Sequence, residues 1–423
     1  MILMFIITVL LCSLDSFAEP VTLQLMWWST EGSQEHDLNL EILELFEELN
    51  PDVRVEVIFA DWNSYADKVW MLMATGEAPD LLWIKKEDLF DFAMGGMLED
   101  LGPFIEKDSE FDASNYLPAV LETCQILGRQ YGLLRDVYAH SIFYNVDRFE
   151  ESGIAAPQVG WTYQDLLGIS KKLTDLDAKR FGMGNLEFNK DSIIASYGGR
   201  WMNEDQTEFL LHEIETIDAI YYMHDFIWLH HAQPQPGELN DWWEPQWQAG
   251  EVAMQWTGPW TWAGYTRDVR FRWDVTPPPA GPAGTYTSLG GMPIGISSYT
   301  EHPQEAWELL KFLTYEEPAQ TLQVLFGIAS PVVTYPETLA AFHRSQSRPK
   351  SIDHYLLSLM SGQLVKPCLP DKVERIIAEA FTDIFNSRKA PEQTLAEAER
   401  VAMFEFNKII QESQNKDVGN TEQ

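Results

Sequence analysis

Basic residues are scarce in this sequence. Lysine and arginine number 29 against 65 aspartates and glutamates, a formal charge of −36. Nucleic acid and anionic membrane surfaces both demand a positive footprint, so neither is expected as a partner. The acidity serves solubility equally well. Cysteine is sparse too, at three residues, and no C-x-x-C pair occurs. There is no G-x-S-x-G elbow, no phosphate-cradling G-x-x-x-x-G-K-[ST] and no H-E-x-x-H, so the common motif-borne chemistries have no support. His224, His230 and His231 lack a completing Cys or carboxylate at ligand spacing, and adjacent histidines on a helix point apart. Neither a metal nor a cofactor is expected. Carboxylate pairs suited to glycoside hydrolysis can always be picked from 65 acids, so their presence decides nothing.

The apolar run Ile2–Leu11 falls far short of the roughly 20 residues that a membrane-spanning helix needs. Followed by the small-x-small pattern Ser16-Phe17-Ala18, it reads as a secretory signal spanning residues 1–18. Periplasmic or extracellular placement follows. Export leaves Cys124 and Cys368, as one disulfide or as two thiols. A chain of 423 residues exceeds what one core usually organises, so two lobes are expected.

Val21, Leu23 and Leu25 alternate with polar residues, the period of a strand, and the run ends in Trp27-Trp28. Apolar residues at helical spacing then fill Asp37–Leu49, and Asn50-Pro51 stops them. A second alternating strand at Val53–Phe59 leads to Trp62. A helix over Tyr65–Thr75 precedes a short buried strand, Leu81–Ile84, that contains Trp83. This β-α-β-α-β order implies a parallel sheet. Ligands of such sheets bind at the carboxyl ends of the strands, and here all three ends carry tryptophan. One aromatic-lined crevice accounts for all of them.

Farther on, Ser141–Asn145 and Arg272–Val275 read as strands, and Thr287–Ile296 as a glycine-rich return strand. Trp161–Leu173, Glu213–His231, Pro303–Thr314, Lys372–Phe385 and Thr394–Ile410 read as helices. The polar tail from Gln411, residues 411–423, is expected to be disordered. In Gly250–Trp262, GEVAMQWTGPWTW, the Gly258-Pro259 turn presents Trp260 outward. Val252 and Met254 belong to the core, with Trp256 and Trp262 behind the turn.

Four blocks then resemble a known family in order: FEELNPDVRVEVIFADWNSYADKVWMLMATGEAPDLLWI; YGLLRDVYAHSIFYNVDRFEESGI with GWTYQDLLGISKKLT; GEVAMQWTGPWTW; and FRWDVTPPPAGPAGTYTSLGGMPIGISSYTEHPQEAWELLKFLT. The chain resembles the extracellular solute-binding proteins of family 1, the sugar-binding components of ABC importers, to which maltose-binding protein belongs. The resemblance implies an α/β, two-lobed periplasmic binding protein, type II-like, each lobe a mainly parallel sheet flanked by helices. The lobes would be residues 19–133 with 290–335, and 134–289 with 336–410. Hinge crossings are implied near Leu133–Asp136 and Ser288–Met292, with a third between Ala329 and Pro367.

The same resemblance places Trp260 where the family stacks a tryptophan on a sugar ring. It places Asp136 where an acid accepts hydrogen bonds from ligand hydroxyls, and Trp83 beside a cleft-lining position. Ser29, Thr30 and Glu31 fall in the loop after the first strand, which supplies polar contacts. Trp28, Trp62, Tyr138, Trp201, Trp243 and the Gly291-Met292 turn join them as aromatic or cleft-edge residues. A pyranose has one C–H face and a hydroxyl rim, so it suits flat aromatic faces beside carboxylates. The implied protein is a monomer that captures a carbohydrate, preferably an oligosaccharide, and delivers it to an ABC permease. The rivals are a secreted carbohydrate-active enzyme and a receptor for another solute, such as a polyol, a peptide or a glycerol phosphate diester, with Arg135, Arg200 and Lys85 near the phosphate.

Overall fold

The computed structural model describes residues 19–28, 34–117, 119–239, 243–325, 330–344, 349–360, 362–363 and 365–421. The expected signal segment and the expected contacts Ser29, Thr30 and Glu31 lie outside these residues. The chain first lays down β1 (Val21–Trp28), β2 (Val53–Ala60), β3 (Leu81–Trp83) and β4 (Leu133–Ala139). It then passes to a second sheet for β5 (Ser141–Asn145), β6 (Phe181–Gly184), β7 (Val252–Thr257) and β8 (Trp273–Thr276). It returns to the first as β9 (Leu289–Ile296). The five-stranded sheet has the order β2-β1-β3-β9-β4 and the four-stranded one β8-β5-β7-β6. The protein is two-lobed and α/β, with helices flanking both sheets.

β1 runs parallel to β2 and β3, as the β-α-β-α-β order dictates. The sheets are nevertheless mixed, not mainly parallel. β9 is antiparallel to β3 and to β4, because β4 carries the chain out of the first sheet and β9 brings it back. In the second sheet β5 is antiparallel to β7 and β8, and only β6 runs parallel to its neighbour β7.

The first crossing also differs from expectation. Leu133–Asp136 are strand residues of the first sheet, and the chain changes sheets at His140, the one residue between β4 and β5. Ser288 lies at the second crossing, but Gly290, Gly291 and Met292 are already inside β9. The third expected crossing touches the first sheet where Ser330 bridges Val137. It touches the second where the Ser351 hydroxyl donates to Asp274 Oδ2 at 2.7 Å. The crossings are tied together. Thr287 Oγ1 accepts from the His140 amide at 3.1 Å and donates to the His140 carbonyl at 2.9 Å. Gln363 N donates to the Thr287 carbonyl at 3.2 Å, and Leu289 N donates to the Gln363 carbonyl at 3.3 Å.

The helix Tyr163–Leu173 opens on a capping box, in which Thr162 and Asp165 each bond the other's backbone amide. Pro303–Thr314 buries Ala306, Leu309, Leu310 and Leu313, the stripe that its 3.6-residue period places on one face. Pro336–Arg344, expected in the second lobe, touches both. Thr338 bonds Thr321 of Glu317–Leu325 at 2.9 Å, and Phe342 meets Trp262. The last helix, Pro391–Thr421, runs on through the tail expected to be disordered. Extending a formed helix adds a bond per residue without a new nucleation cost. Cys124 and Cys368 are free thiols, and burial raises their pKa values to about 12 and about 11.

Tyr65 joins two strand ends. Its buried hydroxyl lies 2.9 Å from the Met26 carbonyl and 2.6 Å from that of Trp83. Tyr65→Phe leaves those carbonyls without their donor. It is expected to cost about 1–3 kcal/mol in a denaturant titration, with an unchanged m-value.

Candidate functional site

Tryptophans at the three strand ends do converge, though mostly on one another. Trp28 meets Trp62 at 4.9 Å and Trp83 at 5.3 Å between ring centroids, nearly perpendicular to both. Trp27 and Trp83 are buried and in contact at 5.5 Å. Trp83 is therefore a support for the crevice, not a lining surface. Trp62 is 44% exposed, Trp28 is partly buried, and Lys85 Nζ lies 4.2 Å from the Trp62 centroid.

Behind this cluster stands Arg135, a buried cation whose guanidinium lies 4.3 Å from the Trp83 centroid. It donates to Asp136 Oδ2 at 2.7 Å, Glu35 Oε1 at 3.1 Å and Asn39 Oδ1 at 3.3 Å. Burial alone would lower its pKa, but Asp136 and Glu35 more than reverse this and raise it. Asp136 Oδ1 accepts from the Met292 amide at 3.0 Å. That amide is free to turn because the register of β9 against β4 breaks between Gly291 and Pro293. A Cβ at Gly291 would come within 2.2 Å of the Asp136 carbonyl. The Gly291-Met292 turn is thus a bulge that holds Asp136. An ionised carboxylate offers about four lone-pair sites, so Asp136 retains acceptor capacity.

Along β4, alternation puts Asp136, Tyr138 and the following His140 on one face. Tyr138 stacks on His140 at 5.7 Å and 8° between planes, and His140 stacks on Phe188 at 5.6 Å and 13°. Phe188 meets Trp243 at 6.1 Å. A Cβ at Gly290 would stand 2.2 Å from the Tyr138 ring, so only glycine lets that ring lie across β9. Trp260 stands nearly perpendicular to this column, 5.0 Å from Tyr138 and 5.4 Å from His140, and is 48% exposed. Its ring packs on Gly258, where a Cβ would stand 1.9 Å away. Burial holds the His140 pKa down at about 4, against the opposing effect of its hydrogen bond to Asn189 Oδ1. Val252, Met254, Trp256 and Trp262 are buried behind the turn.

The structure thus brings together Trp28, Trp62, Trp83 and Asp136 on one side, and Tyr138, Trp243 and Trp260 on the other. Trp201 is not among them. It is 3% exposed, packs on Phe381 and lies under Lys366 Nζ at 5.0 Å. It lines a separate cavity of about 430 Å³ with Arg200, Tyr286 and Pro367. Trp243 and Phe188 line another, of about 390 Å³, with Glu187 and Gln235. His140 and Phe188 are the additions. His140 was legible from the alternation of β4, whereas nothing local marks Phe188. Among the described residues, no group of three or more His, Cys, Asp or Glu is placed to hold a metal ion.

An open aromatic face beside acceptors suits a ligand with one apolar face and a polar rim. The sequence matches the family model of the bacterial extracellular solute-binding protein over residues 32–320. The chain belongs to this family. The arabinooligosaccharide-binding protein of Bacillus subtilis (strain 168) is 23% identical over 336 residues, covering 74% of each chain. An ABC substrate-binding protein from Listeria monocytogenes, solved in complex with cycloalternan, is 26% identical with a TM-score of 0.78, covering 90% of this chain and 98% of that one. UgpB from Mycobacterium tuberculosis, in complex with glycerophosphocholine, has a TM-score of 0.74 at 18% identity, covering 93% and 100%. The solute-binding fold therefore accommodates ligands of different chemistry, and the side chains must choose among them.

Gly258 has φ −108°, open to any residue, so the obstacle to a side chain there is the Trp260 ring. In Gly258→Ala the half-exposed ring yields, and the melting temperature is expected to move little. The near-UV circular dichroism should change as much as in Trp260→Ala, and the double variant should show no further change.

Proposed function

We propose that this solute-binding protein captures a carbohydrate between its lobes and delivers it unaltered to the permease of an ABC importer. The observation that carries this reading is the half-open Trp260 face, held on Gly258 and flanked by Tyr138 and His140. Trp62 and Trp28 supply aromatic surface from the other lobe, and Trp243 extends the wall beyond Phe188. Each sugar ring laid on such a face removes tens of Å² of C–H surface from water, about 1 kcal/mol per platform. Several platforms favour an oligosaccharide. The Listeria relative with cycloalternan and the Bacillus relative named for arabinooligosaccharides support the same ligand class.

The glycerol phosphate diester reading needs a free cation, and those first considered are engaged. Arg135 is committed to Asp136 and Glu35. Arg200 pairs with Glu204 at the surface, and Lys85 Nζ donates to the Trp62 carbonyl at 2.5 Å. The lobes we assign meet at His140, Ser288 and the segment near Gln363. Ligand contacts to both lobes stabilise the closed form, and only differential affinity for that form moves the equilibrium. The protein acts as an exported monomer, with residues 1–18 removed.

Mass spectrometry of the small molecule that co-purifies with the protein is expected to show an oligosaccharide; a phosphodiester there rejects this reading. Trp260→Ala is expected to weaken binding of that sugar at least tenfold by calorimetry while the melting temperature of the unliganded protein stays nearly constant. Incubation with cycloalternan and arabinooligosaccharides should return them intact. Release of smaller sugars at an enzymatic rate would make the protein an enzyme.

A further inference from the structure

His140 is the imidazole within a column of aromatic rings, and its hydrogen bonds fix where its proton sits. Asn189 Nδ2 donates to the Trp256 carbonyl at 2.9 Å. A carbonyl only accepts, so the Asn189 amide cannot be turned round. Its Oδ1 therefore faces His140 Nδ1, 2.5 Å away. That oxygen also only accepts, so Nδ1 carries the hydrogen. A neutral imidazole has one N–H, which leaves Nε2 with a bare lone pair.

The ring is neutral near pH 7. Burial is the dominant influence; the Asn189 bond and Asp191, beside it on helix Lys190–Tyr197, favour the cation, and Lys86 from the first lobe opposes it. The balance holds the pKa at about 4. Both faces of the ring are covered, by Tyr138 and Phe188. The residue keeps some exposure to solvent, and Nε2 bonds to none of the described residues.

We propose that His140 Nε2 is a hydrogen-bond acceptor for a hydroxyl of the bound sugar, and so a specificity-determining atom of the site beside Trp260. This rests on the carbohydrate reading. The preset tautomer distinguishes it from a surface histidine. Asn189, anchored on the strand that leads into the Trp260 turn, acts as a positioning residue. A ligand group that can only accept, such as an ether oxygen or an unprotonated carboxylate, meets a lone pair there and is disfavoured.

The test is NMR on the full protein with histidine-selective ¹⁵N labelling, at pH 7. In the unliganded protein His140 is expected to show a protonated Nδ1 and an unprotonated Nε2. Saturation with cycloalternan, followed in parallel by calorimetry, should move the Nε2 resonance toward the hydrogen-bonded range and leave Nδ1 in place. His140→Phe keeps the stack and is expected to weaken binding about twofold to tenfold, the range of one neutral hydrogen bond. Asn189→Ala should populate the other tautomer and weaken binding with the ring retained. A protonated Nε2 in the free protein, an unmoved Nε2 in the saturated protein, or His140→Phe binding as tightly as wild type would each overturn the assignment. Absence of binding heat with cycloalternan and with arabinooligosaccharides overturns the carbohydrate reading instead, and with it the role of Nε2, while the free-protein spectrum still reports the tautomer.

Discussion

A guanidinium taken out of water needs charged and polar partners, because removing one partner of a buried ion pair typically costs about 3–5 kcal/mol. Arg135 imposes that demand at the centre of this protein, and the residues that answer it are those that shape the site. Asp136 answers from the same strand, Glu35 and Asn39 from the helix Gln34–Leu49, and the Trp83 face from the end of β3. Asp136 in turn accepts from the Met292 amide, which the register break of β9 turns toward it. One buried charge therefore orients the Asp136 carboxylate and fixes the floor under the first tryptophan cluster.

The scaffold was largely legible because it follows from periodicity. β1, β2, the helix Tyr65–Thr75 and the return strand β9 all lie where alternation or helical spacing puts them. The Gly-Pro turn before Trp260 was legible, but Gly258 serves there to make room for the Trp260 ring and needs no unusual φ. What misled was residue type without packing. Trp83 sits at a strand end yet is sealed by Trp27, Trp28 and Arg135. Trp201 satisfies Phe381 and Lys366 and has no ring contact with the column beside Trp260. The glycines of β9 looked like hinge residues, but Gly290 and Gly291 serve close approach, making room for the Tyr138 ring and the Asp136 backbone. Glycine marks both needs alike, and sequence does not separate them. Phe188 reaches the column only through the folding of the second lobe.

The charge balance fits the site. A protein with a formal charge of −36 repels anionic solutes at long range, and Arg135, the buried cation behind the crevice, is used up internally by Asp136 and Glu35. Selectivity then falls to aromatic faces and hydrogen-bonding edges, which discriminate by shape and by the direction of the O–H group. UgpB with glycerophosphocholine and the Listeria protein with cycloalternan share this fold at similar TM-scores, 0.74 and 0.78. The difference between such receptors must lie in a few side chains on a shared frame.

The bonds among the crossings bear on how the lobes can move. Thr287 holds both the amide and the carbonyl of His140, and Gln363 is stitched to Thr287 and Leu289 on the other side. Three backbones fastened in this way cannot swivel separately. For the lobe closure proposed above they would act as a common axle, which would restrict the lobes to something close to one rotational degree of freedom. The open form then spans fewer orientations than independent linkers would allow, and less entropy has to be surrendered on closing. Part of what a tightly binding ligand would otherwise have to supply is already built into the joint.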